Sequence, residues 1–98
     1  MYVIIAGAGM VGGTLARQLT ENRHDVVVVE KDKSVCEDIT KRIGALAIQG
    51  IATDIDTLEE AGIAKADVAI GALPLDADNL SFTILARNAG VSRVIVRI

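Results

Sequence analysis

At 98 residues and a formal net charge of -3, the chain is sized for one domain with a real core, residues 1–98. Ten Lys and Arg against 13 Asp and Glu, with no basic cluster, argue against nucleic acid as the main partner, and Tyr2 and Phe82 are too few aromatics to stack single strands. Hydrophobic residues make up 51 %, mostly Val, Ile, Ala and Leu, a composition that suits a sheet buried on both faces by helices.

In chain order, Tyr2 to Ala6 is an apolar run of strand length that leads directly into G-x-G-x-x-G at Gly7, Gly9 and Gly12. Leu15, Ala16 and Leu19 then recur at helical spacing, which predicts a helix over 13–23. Val26 to Val29 reads as a second strand, closed by Glu30. Lys33 to Ile43 carries Val35, Ile39 and Ile43 at four-residue spacing, with Gly44 as a stop. Ala45 to Gln49 is a third strand, and Thr53 or Asp54 caps a short helix that runs through Leu58 and Ala61 to Gly62. Ala66 to Ala72 is a fourth strand. After Pro74, Asp76 or Asp78 opens a helix through Asn88 that Gly90 stops, and Val94 to Val96 is the fifth strand. Five strands alternating with helices predict a parallel α/β sheet with right-handed crossovers. The expected form is Rossmann-like and doubly wound, with strand order 3-2-1-4-5, helices on both faces and a crevice between strands 1 and 4.

The glycine spacing has a physical reason. Gly7 turns the chain out of the strand, Gly9 leaves the backbone open to a pyrophosphate, and Gly12 lets the helix pack close on the sheet. The helix N-terminus then offers free N–H groups and the positive end of its dipole. Glu30, 18 residues beyond Gly12, ends the neighbouring strand where ribose hydroxyls would lie. A strand, a helix, a second strand and an acid at this distance make the motif far stronger than the glycines alone. Glu30 also disfavours NADP, because a carboxylate about 4 Å from a 2′-phosphate is repelled by about 2 kcal/mol or more per charge pair. Lys31 is a candidate to soften that repulsion by pairing with a phosphate, the other reading being a solvated surface lysine.

Other chemistry is sparse. Cys36 has no partner for an internal disulfide and reads as a packed thiol, while His24 reads as a turn residue before a strand. No His, Cys, Asp and Glu grouping has the spacing of a metal site, and no nucleophile and base pair suggests itself. Asp76 and Asp78 read as capping charges at a helix N-terminus. The first 16 residues are uncharged, yet they lack a basic start, are interrupted by glycines and fall short of the roughly 20 apolar residues of a spanning helix. A soluble, intracellular, non-catalytic domain without membrane insertion is expected.

Read together, "MYVIIAGAGMVGGTLARQL", "HDVVVVEKDKSVCEDI", "GIATDIDTLEEAGIAKADVAIGA" and "NLSFTILARNAGVSRVIVRI" resemble the N-terminal nucleotide-binding domain of the TrkA/KtrA-type regulators of potassium uptake, the RCK or TrkA-N domain. The resemblance covers the whole chain. It implies a cytoplasmic regulatory subunit that forms a homodimer or higher ring, binds NAD(H), ADP or ATP, and gates a potassium-transporting membrane subunit. It also implies that Gly7, Gly9, Met10, Val11 and Gly12 line the phosphates and that Glu30 takes the ribose. Ala52 and Thr53 then lie by the adenine, Ala72 and Leu73 pass over the ligand, Asn79 opens the last helix, and Arg97 faces phosphate or a neighbouring subunit. Three departures stand out: Met10 occupies a common arginine position, Ile51 a common aspartate position, and Leu73-Pro74 replaces a small polar loop. Two other readings remain beside the regulator: the cofactor domain of an NAD-dependent oxidoreductase, and an interaction domain that has lost its ligand.

Overall fold

The computed structural model describes residues 1–97. Five parallel strands, β1 (Tyr2–Ala6), β2 (Asp25–Glu30), β3 (Leu46–Gln49), β4 (Val68–Gly71) and β5 (Arg93–Val96), form one sheet in the order β3-β2-β1-β4-β5. The Rossmann-like, doubly wound fold expected from the alternating pattern is therefore present. The central strand explains the unbroken aliphatic runs. Val3 and Ile5 face one way, with Val26, Val28, Val68 and Ile70 beside them on the sheet. Against that layer lie α1 (Met10–Glu21), through Ala16 and Leu19, and α2 (Lys33–Arg42), through Ile39. Ile4 and Ala6 face the other way, with Val27, Val29 and Ala69, beneath Leu58 of α3 (Ile55–Glu60) and Phe82 and Ala86 of α4 (Asp76–Asn88). Both faces are covered, so alternation of side chains leaves no polar face to interrupt the runs.

Side-chain caps set the starts of two helices, α2 and α3, while α1 and α4 start without one. Helix α1 starts at Met10, not Gly13 as the apolar spacing predicts; its first turn buries only Gly12, which has no side chain, and so contributes nothing to the stripe. It ends at Glu21, and Arg23 takes a left-handed backbone (φ 68) on the way to β2. Asp32 caps α2 by accepting from the amides of Ser34 (2.9 Å) and Val35 (3.4 Å). Helix α2 closes at Arg42, with Ile43 as its C-cap. At α3 the capping side chain is Asp54, which accepts from the Asp56 amide at 3.0 Å. A short 3-10 turn, Ile63–Lys65, follows Gly62 and was not expected from the sequence. Helix α4 begins at Asp76, but its cap position is Leu75 and no side chain caps it. Asp76 and Asp78 therefore act at most on the dipole, which corrects their reading as caps. β3 and β4 are shorter than expected, and β5 starts one residue earlier, at Arg93.

Candidate functional site

The sheet reverses its winding between β1 and β4, and the loops at the carboxyl ends of the strands diverge there. They enclose a cleft of about 460 Å³, within the usual range for small-molecule sites. At its centre is the turn from β1 into α1. Gly7 has a left-handed backbone (φ +93), and a Cβ there would stand 2.7 Å from the Ala72 carbonyl oxygen. A Cβ on Gly12 would stand 2.1 Å from the carbonyl oxygen of Gly7. The fold itself requires glycine at both places. Gly9 differs, because its backbone is extended (φ -70, ψ -161) and a Cβ would meet nothing within 4 Å. Nothing in the protein calls for glycine there. The first internal bond of α1 runs from Gly13 N–H to the Gly9 carbonyl (2.8 Å). The amides of Met10 and Val11 precede it and are free for an acceptor at the cleft floor, with the Gly12 amide beneath them.

One wing of the cleft lies beyond β2 and β3. The half-buried Glu30 carboxylate accepts from the Ala8 amide through Oε1 (3.0 Å) and from the Asp32 amide through Oε2 (2.8 Å). These two bonds fix the acid against the glycine turn and leave further lone pairs for hydroxyl donors. Lys31, Ala52 and Thr53 line the same wing, as does Ile51, whose side chain is 60 % exposed. Just behind it, the Cys36 thiol donates to the Glu30 carbonyl (3.3 Å). Burial, and then the nearby carboxylates of Glu30, Asp32 and Glu37, push that thiol up from its ordinary value. Cys36 is a packing residue, as its place in a helix suggested.

The other wing lies beyond β4 and β5 and is lined by Ala72, Leu73, Pro74, Asp78 and Arg97. Asn79 is not among the lining residues. It is 2 % exposed and its amide is fully engaged: Oδ1 accepts from Leu73 N–H (2.9 Å), and Nδ2 donates to the carbonyls of Leu73 (3.0 Å) and Arg97 (3.3 Å). Its place is behind the wall, where it ties the loop after β4 to the end of β5. Gly12 likewise sits under the floor, and Gly7, Gly9, Met10 and Val11 form the floor itself. The sequence reading missed Asp78 as a lining residue. Two acids before a helix read as caps, and only the helix phase turns the second toward the switch point. Among the described residues no group of three or more His, Cys, Asp or Glu is placed to hold a metal ion. His24 lies before β2, at the opposite end of the sheet, with Nδ1 3.2 Å from the Met1 amine.

A parallel sheet wound both ways from its centre, with a glycine turn feeding a helix at the switch point, defines the Rossmann class of nucleotide-binding folds. Comparison with known proteins narrows it. Residues 3–98 match the TrkA-N domain, and the chain belongs to that family. The Trk system potassium uptake protein TrkA homolog of Methanothermobacter thermautotrophicus is 43 % identical over 98 residues, all of this chain and 45 % of that relative. The chain thus spans less than half of the relative's length. Among solved structures, the GsuK channel bound to NAD aligns with a TM-score of 0.78 at 23 % identity, over 96 % of this chain and 21 % of that one. The Kef CTD of Shewanella denitrificans in its AMP-bound form aligns at 0.80 and 23 % identity, over 98 % of this chain and 57 % of that one. These two likenesses establish the shared fold. No helix among the described residues is long and apolar enough to cross a membrane.

Proposed function

We propose that the chain is the nucleotide-binding part of a regulator of potassium uptake, that it takes NAD(H) or an adenine nucleotide in the cleft, and that it performs no catalysis. The observation that carries this reading is Gly9: a glycine the fold does not need, at the centre of a cleft whose floor amides are unspent. A side chain there would occupy the space a diphosphate needs and clash with nothing else. The cleft residues fit such a ligand. The amides of Met10 and Val11 hold the phosphates above Gly12, Glu30 accepts from the adenosine ribose, and Ala52 and Thr53 flank the base. The same carboxylate disfavours NADP through repulsion of a 2′-phosphate. The relative's name and the NAD and AMP in the two neighbouring structures are consistent with this ligand class.

The regulator acts at the cytoplasmic face on a potassium-transporting membrane subunit, as a homodimer or higher ring. For the ligand to act, it must bind two arrangements of the assembly unequally, and coupling of about 1–3 kcal/mol suffices. The loop over the cleft offers a physical route, because Asn79 links Leu73 to the Arg97 carbonyl at the end of β5. Calorimetric titration with NAD, NADH, ADP and ATP tests the reading. Binding of at least one of them, with a rise in melting temperature, is expected; absence of heat and of thermal shift with all four overturns it.

A further inference from the structure

The cleft has two wings with matching chemistry on either side of the glycine turn. One carries Glu30 and Lys31, and the other Asp78 and Arg97. Among the described residues the one ion pair joins Arg42 and Asp38 (2.8 Å), so none of these four charges is neutralised by a partner. The floor between the wings adds no cation. The first turn of α1 presents Met10, 90 % exposed, and Val11. The lining side chains therefore sum to no net charge, with a carboxylate at each end.

Resting on the nucleotide reading above, we infer that Asp78 is a specificity-determining residue, which selects a dinucleotide over a nucleoside triphosphate by accepting from the hydroxyls of a second ribose. A ligand with adenosine on the Glu30 wing and a diphosphate on the glycine floor extends its far end toward Leu73, Asp78 and Arg97. In a dinucleotide that far end is a neutral sugar diol, and a carboxylate is a strong acceptor for it, because charge-assisted bonds are roughly twice as strong as neutral ones. In ATP the far end is the terminal phosphate, the most highly charged group of the ligand. Asp78 repels it, Met10 offers it nothing, and Arg97 alone attracts it. A cleft built for a triphosphate would place bases where this one has a methionine and an aspartate.

Titration of the parent, Asp78→Ala and Asp78→Asn chains with NADH, ADP and ATP decides the matter, with melting temperature as the control for folding. The parent binds NADH at least about tenfold more tightly than ATP. Asp78→Ala weakens NADH about tenfold and strengthens ATP, and Asp78→Asn, which keeps an acceptor but drops the charge, strengthens ATP while holding NADH better than the alanine variant does. If nucleotides bind but the NADH-to-ATP ratio is unmoved in both variants, the inference falls and the proposed function stands. If nothing binds the parent, both fall. Should Asp78→Ala melt early, the ratio in Asp78→Asn carries the decision alone.

Discussion

Glu30 shows how much one side chain does here. It closes β2, and its two oxygens accept from Ala8 and Asp32, the residues that follow β1 and β2. The group expected to accept from a ribose is the strut that holds the glycine turn in place. Asn79 is the corresponding strut on the other wing. Replacing it by Ala leaves the Leu73 amide and carbonyl and the Arg97 carbonyl without their partner. The expected cost is about 2 kcal/mol, a fall in melting temperature on the order of 10 °C for a domain of this size, and weaker nucleotide binding because the loop over the cleft loosens. Thermal unfolding by circular dichroism checks the first, and calorimetry the second. Tyr2, the single tyrosine in a chain without tryptophan, is a clean reporter at the other end of the sheet. Its phenol donates to the Ala61 carbonyl, and burial, with the Asp25 carboxylate, pushes it above its ordinary value of 10.0. The stability this contributes is intact below the ordinary tyrosine value and is lost as pH rises through the folded one. Ultraviolet titration should give a midpoint above 10.0 in the native chain and a return to the ordinary value in denaturant. Equal midpoints would contradict the partial burial of the phenol beside Asp25.

Among the elements, α2 is the one with an acid-sensitive start. Hydrogen bonds from the Ser34 hydroxyl and then from the Ser34 and Val35 amides hold Asp32 below the usual carboxylate range. The folded form prefers the ionised acid. Its contribution is therefore present above the unfolded carboxylate value and lost as pH falls through the lower, folded one. Asp32→Ala is expected to destabilise the chain at neutral pH, with the gap to the parent closing below the usual carboxylate range; denaturant melts at several pH values measure it. A gap that does not change with pH would mean that Asp32 contributes only shape. Helix α4 has no such dependence on a cap, since Leu75 offers no side-chain acceptor, and its hold on the sheet comes from packing. Phe82 is fully buried against Leu58 and the strands on that face. Phe82→Ala is expected to cost about 3–5 kcal/mol, readable as a shift in the denaturant midpoint.

For the molecule as a whole, the architecture was legible because two-sided burial writes strands as aliphatic runs and helices as stripes, and their alternation leaves few topologies. The glycine turn and Glu30 were legible because strand, G-x-G-x-x-G, helix, strand and acid follow one another at the spacing of a dinucleotide-binding βαβ unit. What stayed hidden depended on geometry between distant segments. The start of α1 at Met10 was invisible to periodicity, since its first turn buries only a glycine. Asn79's role needs the loop after β4 and the end of β5 brought together. Asp78's place on the cleft wall needs the phase of α4 relative to the switch point. The 3-10 turn after Gly62 has no sequence signature beyond the glycine itself.

Gly7 and Gly12 are required by the fold, and Gly9 is not. Gly12→Ala should damage the fold, since its Cβ would stand 2.1 Å from the Gly7 oxygen, and overpacking of this kind costs about 1–3 kcal/mol or more. Gly9→Val should not, because its side chain enters open space. The most direct measurement is therefore a calorimetric titration of Gly9→Val with the nucleotide the parent binds best, on protein shown to melt with the parent. The expected result is a native melting temperature with binding lost by a factor of about a hundred or more. A well-folded Gly9→Val chain that holds nucleotide as firmly as the parent would contradict it.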